Sequence, residues 1–150
     1  MTEKPANVQL RPATAGDSEF AFTTTRDTMR EYTLATWGKW SEEDVRRRSS
    51  ANIANGTTCI IELDGKPIGI RVVEREPDCI QLAQIFILPA HQGRGIGSKL
   101  IEQLLAEARS VGLPLRLRVL RVNPAFNLYQ RMGFKVVEET PERYFMEHLP

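Results

Sequence analysis

Cysteine is scarce in this chain: only Cys59 and Cys79 occur among 150 residues. Two thiols beside apolar, strand-like residues allow at most one disulfide and fit a reducing compartment. An excess of either charge is also missing, with 20 Lys and Arg against 19 Asp and Glu. That balance supplies no strong field toward nucleic acid or an anionic membrane, so neither is expected as a partner. The basic run Arg46-Arg47-Arg48 follows Glu42-Glu43-Asp44, an order that suits an exposed helix and its dipole. No apolar stretch is long enough to cross a bilayer, and the N-terminus has no signal-peptide core. The expected location is the cytoplasm. Repeats and low-complexity tracts are absent, no metal is expected, and the length fits one domain over 1–150. One local absence bears on chemistry: the segment from Cys79 to Gln92 contains no acidic residue.

What is present is a glycine-rich turn. The apolar run Ile85-Phe86-Ile87-Leu88 leads into Gln92-Gly93-Arg94-Gly95-Ile96-Gly97, and then into Ser98-Lys99-Leu100-Ile101. A strand thus feeds a turn that opens a helix. The first N–H groups of a helix lack intrahelical partners and carry partial positive charge. Glycines let a phosphate approach those amides. A P-loop needs two glycines five apart followed by Lys and Ser/Thr, whereas Gly93, Gly95 and Gly97 are two apart and Ser98-Lys99 runs in the wrong order. A dinucleotide fingerprint also fails, because the third glycine would fall on Ser98 or Leu100. Q-x-x-G-x-G at the end of a fourth strand remains.

The second motif is Asn123-Pro124-Ala125-Phe126-Asn127-Leu128-Tyr129-Gln130-Arg131-Met132-Gly133-Phe134. Asn123 reads as an N-cap, Pro124 as the first helical residue and Gly133 as the stop. Both motifs, in this order and separation, resemble the GNAT superfamily of acyl-coenzyme A-dependent N-acetyltransferases, and the resemblance extends over nearly the whole chain. Elsewhere, Val8 to Arg11 reads as a strand, with Thr14 to Asp17 capping a helix to about Thr36. Ser41 opens a second helix. Asp64-Gly65 joins two hairpin strands, Thr57–Leu63 and Ile68–Val73, and Ile80 to Leu88 forms the fourth. Leu100, Ile101, Leu104, Leu105, Ala108 and Val111 make one helix face. Leu115 to Leu120 is strand five, and Phe134–Val137 with Tyr144–Leu149 forms a final hairpin. The expected fold is α/β (α+β): a mixed, mostly antiparallel sheet with helices on both faces, and strands four and five splayed around a cofactor.

The resemblance implies acetyl transfer from acetyl-coenzyme A to a small-molecule or peptide amine. Cofactor contacts are expected from Phe86, Ile87 and Leu88 along strand four, and from Gln92, Gly93, Arg94, Gly95, Ile96, Gly97 and Ser98 around the pyrophosphate. Asn123 is expected to contact the pantetheine arm or hold its own helix. An N–H near Ile87 or Leu88 is expected to polarise the thioester. Tyr129 matches the position of the family's general acid. The spacing Ala125, Leu128, Tyr129, Met132 is also that of a core face, so packing is a second reading. Many members carry a strand-four glutamate as base; here only Gln81 and Gln84 are polar. His91 reads as a loop residue, while Glu31, Glu74, Glu139 and a water chain stay open as bases. Glu31, Tyr32, Trp37, Trp40 and Tyr144 are the expected acceptor contacts. An aromatic wall with a carboxylate suits a cation, although Tyr32 and Trp37 equally suit packing. A non-catalytic acyl-coenzyme A-binding module is the alternative function, and a homodimer through strand five and the last hairpin is compatible.

Overall fold

A computed structural model describes residues 7–150; the expected lack of a signal-peptide core concerns an N-terminus whose first six residues lie outside the described ones. Strand β1 spans Val8–Pro12, followed after a short 3-10 turn by helix α1, Ser18–Trp37, and α2, Glu42–Ala54. Gly38 stops α1 in the left-handed region (φ 71°), one residue past the expected end. Ser41 opens α2 by accepting the Asp44 N–H at 3.2 Å. Strands β2 (Thr58–Leu63) and β3 (Lys66–Arg75) form the expected hairpin. Asp64 (φ 51°) and Gly65 (φ 81°) both sit in the left-handed region, as a tight hairpin turn requires.

Strand β4 is Ile80–Ile87, helix α3 is Ile96–Val111, β5 is Leu115–Leu120, and α4 is Ala125–Arg131. Strands β6 (Lys135–Glu139) and β7 (Arg143–His148) close the chain. The sheet runs β1-β2-β3-β4-β5-β7-β6, and every neighbouring pair is antiparallel except β4 with β5. Strand β5 lies between β4 and β7, and the outer edges of the sheet are β1 and β6.

Apolar side chains cover both faces of the sheet. Ala21 of α1 packs with Ile60 and Ile70 on one face, with Phe86 at their margin. Ile101, Leu104 and Ala108 of α3 pack on the other against Leu82, Leu115, Leu117 and Val119. Each fully buried aliphatic side chain contributes roughly 1.5–3 kcal/mol. The expected α3 face ends a turn early, since Val111 is 57 % exposed.

Strands β4 and β5 pair only at Ile80–Leu115, Gln81–Arg116 and Leu82–Leu117. The pairing stops at a bulge. Val73 faces Leu82 and Val72 faces Gln84, leaving Ala83 as an extra residue. A bulge bends its strand and increases local twist. Beyond it β4 stays with β3, β5 stays with β7, and a cleft opens between them.

Candidate active site

The cleft has a volume of about 900 Å³. Its first wall is the unpaired edge of β4. The Leu88 N–H donates to Ile68 O at 2.9 Å, on the β3 side. Main-chain groups alternate sides along an antiparallel strand. Phe86, opposite Ile70, therefore also faces β3, while Ile85 and Ile87 turn their N–H and C=O toward the cleft. The expectation for Leu88 is corrected: its amide is already bonded and it does not line the cleft. Phe86 lines it, but its main chain points away. Ile85 was missed because the phase of alternation is set by pairing with β3, which a run of four apolar residues does not disclose.

The second wall is the glycine turn. Gly93 and Gly95 both have φ 76°, and a Cβ on either would meet nothing within 4 Å. Their requirement is therefore backbone conformation and an open approach, not packing. Among the described residues, the N–H groups of Gly93 and of Gly95 to Ser98 have no intramolecular acceptor; the first bond of the helix is Lys99 N–H to Gly95 O at 3.1 Å. Gln92 has a different place from the one expected. Its side-chain amide donates to Ile87 O at 2.8 Å and ties the turn to the end of β4. Gln92, Gly93, Gly95, Ile96, Gly97 and Ser98 line the cleft, whereas Arg94 is exposed and outside the lining. His91 lines it too, with its Nδ1 buried and unpartnered.

The third wall comes from α4. Asn123 Oδ1 accepts the Ala125 N–H at 2.9 Å, so this side chain caps the helix start although Pro124 is the formal cap. Tyr129 packs in the core and also borders the cleft. Its ring packs edge-on against Phe134, 6.0 Å between centroids, inside the main core. The residue keeps 9 % of its surface, borders the cleft, and its hydroxyl has no hydrogen-bond partner among the described residues. Burial pushes the phenol up to about 12.

The remaining wall, from α1, α2 and β7, departs most from expectation. Tyr32, Trp37 and Trp40 line the cleft, but Glu31 is exposed and points to no part of it. Tyr144 lies outside as well: it stacks on Phe126 at 4.5 Å and accepts from Arg121 Nη1 at 3.0 Å. Glu74 and Glu139 are not in the lining, and no Asp or Glu is. The expected carboxylate beside aromatic rings is thus absent. Arg48, Arg118, Arg131 and Arg143 stand there instead. Arg46 and Arg47 behave as the solvated helix predicts, pairing with Glu19, Glu42 and Asp44. Arg48, one residue on, turns to the cleft; only the packing of α2 against α1 decides that.

Residues 23–134 match the acetyltransferase (GNAT) family. Two curated relatives align over 60 residues: the L-methionine sulfoximine/L-methionine sulfone acetyltransferase of Salmonella typhimurium at 33 % identity and the L-amino acid N-acyltransferase MnaT of Escherichia coli at 32 %. Those alignments cover 39 % of this chain and 35 % of each relative, so the match spans about a third of their length. The fold superposes on the PaiA N-acetyltransferase of Thermoplasma acidophilum, solved in complex with coenzyme A, with a TM-score of 0.77 at 20 % identity over 96 % of this chain and 99 % of that one.

Proposed function

This chain belongs to the GNAT acetyltransferase family, and from that premise we propose that it is an N-acetyltransferase moving an acetyl group from acetyl-coenzyme A directly to a small amine. The observation that carries this reading is the set of unpartnered N–H groups of Gly93 and of Gly95 to Ser98, beside a strand edge that the Ala83 bulge has freed. Unpartnered amides along one glycine turn suit a diphosphate. The free N–H and C=O of Ile85 and the N–H of Ile87 suit an extended amide-bearing arm laid alongside β4. Acetyl-coenzyme A, when bound, supplies the acetyl group as a thioester.

The chain's own groups account for the rest. The Ile87 N–H faces the open side of the strand and polarises a carbonyl oxygen there. Tyr129 would supply a proton to the leaving sulfur as the C–S bond breaks, once the C–N bond has formed, and would regain one from water. Burial to about 12 keeps the phenol protonated throughout the physiological range. Against an ordinary thiol near 8.5, that gap of three to four pK units opposes transfer by roughly 5 kcal/mol. A thiolate leaving into the same dry wall is itself disfavoured, which narrows the gap. No carboxylate lines the cleft to take the amine proton. The unpaired arginines do part of that work, since neighbouring positive charge favours a neutral amine; the proton leaves to water.

The missing carboxylate favours one competitor, a module that holds an acyl-coenzyme A without turnover. Thiol release separates the two. Protein, acetyl-coenzyme A and a panel of small amines should release free thiol well above the amine-free control. Tight coenzyme A binding with no release from any amine would establish the binding module instead. We further propose that residues 1–150 form one acetyltransferase domain, and that it works in the cytoplasm, in keeping with free Cys59 and Cys79. No helix of the described residues is long and apolar enough to cross a membrane.

A further inference from the structure

We infer that Arg118 and Arg143, backed by Trp37, form an anion subsite that selects acceptors carrying a carboxylate next to the amine, that is, α-amino acids. The inference rests on the acetyltransferase reading above. Arg118 lies on β5 and Arg143 opens β7, where Arg143 pairs with Leu120 and Arg118 with Phe145. Leu120 and Arg118 are two apart and share a face, so the two arginines are diagonal neighbours on one side of the sheet. That side faces α1, and both residues line the cleft. The Arg143 guanidinium lies 5.2 Å from the centre of the Trp37 ring, which fixes its orientation.

The main chain of Arg143 is also held. Its N–H donates to Thr140 Oγ1 at 3.1 Å and its C=O accepts from Thr140 N–H at 2.9 Å. Neither arginine has an ion pair among the described residues, while Arg11, Arg46, Arg75 and Arg116, outside the cleft, all do. Glu142 contributes an attractive field at Arg143 but no contact of ion-pair length. Burial and the like charge of Arg118 both push Arg143 below its usual value. Two guanidiniums on one face with no ion-paired acid repel each other until an anion joins them, and a carboxylate matches their fork.

Acceptor chemistry agrees with this. At pH 7 an alkylamine near 10.4 is neutral in only about one molecule per few thousand. An α-amine freed of its carboxylate's field titrates near 7.7–8.0 and is neutral in roughly one of ten. Pairing the carboxylate with arginine removes that field. A cleft with no acidic base is thus suited to an α-amine whose own carboxylate is neutralised. The phosphates of the cofactor are the competing ligand for these arginines, but they belong at the Gly93–Ser98 turn, on the opposite wall.

The test measures binding by calorimetry to the coenzyme A-bound protein, using a panel of L-amino acids against the same compounds as carboxamides. The acids should bind at least about tenfold tighter than their amides. Arg118→Gln and Arg143→Gln should each shrink that ratio toward one, Arg143→Lys should give an intermediate ratio, and coenzyme A affinity should stay unchanged in all three. Equal binding of acid and amide, no binding of either, or a parallel loss of coenzyme A affinity in the variants would overturn the inference. Thiol release from amines without a carboxylate, at rates equal to the amino acids, would overturn it while leaving the acetyltransferase reading in place. A protein that binds no coenzyme A fails the acetyltransferase reading instead.

Discussion

Tyr129 is a packing residue in the structure and the proton donor of the proposed reaction. Its ring is core, packed with Phe134, while the residue borders the cleft and its hydroxyl has no partner among the described residues. Tyr129→Phe keeps the ring and removes only the proton donor. The expected result is turnover slowed by about 10²-fold or more with coenzyme A affinity nearly intact; single-turnover rates and a binding titration check it. An unchanged rate would leave Tyr129 as packing alone. Spacing alone shows the packing side of this residue; the acid role comes from the family resemblance of the N-P-A-x-x-L-Y pattern. Glu31 was misread for a different reason. A helix face can be assigned from spacing, but whether Glu31 or Tyr32 turns inward depends on how α1 is rotated against the sheet, and it is Tyr32 that lines the cleft.

At the scale of elements, the strand–turn–helix unit from β4 to α3 is the part most plainly written in sequence. Gly93 and Gly95 need φ 76°, which other residues rarely adopt, and the space above them is open. Gly95→Asp introduces strain, bulk and negative charge beside the unpartnered amides. Coenzyme A affinity should fall by about 100-fold or more while the unliganded protein keeps its circular dichroism spectrum. Equal thermal stabilisation of variant and wild type by coenzyme A would contradict this. Gln92 shows the limit of such reading. Its residue type was recognised, but its bond to Ile87 O depends on where the turn folds back along β4. The family resemblance implies the splay of β4 and β5 but not where it begins, because the bulge at Ala83 arises from register between β3 and β4, and alanine in a strand carries no mark of it.

For the whole molecule, two groups contribute at opposite ends of the pH range. Arg11 binds both oxygens of Asp17 and also Glu62, linking β1, the turn before α1, and β2. That guanidinium holds Asp17 down to about 2. The unfolded chain binds more protons than the folded one below about pH 4, so this stabilisation is complete above pH 4 and is lost as pH falls through 2. Tyr129, held up to about 12, acts oppositely. Its contribution is complete below pH 10, and roughly 2–3 kcal/mol is lost as pH rises through 12. Denaturant titrations across pH should show both limbs. Tyr129→Phe should flatten the alkaline one and Asp17→Asn the acid one; a variant with wild-type slopes would refute the assignment. The sequence by itself determined the order of strands and helices, the glycine turn and the tyrosine helix, since these follow from local backbone preference and periodicity. Only the tertiary structure decided where β4 and β5 part, which amides face the gap, and that arginines rather than acids line the acceptor wall. Those features depend on register and helix rotation, which are fixed by contacts between residues far apart in the chain.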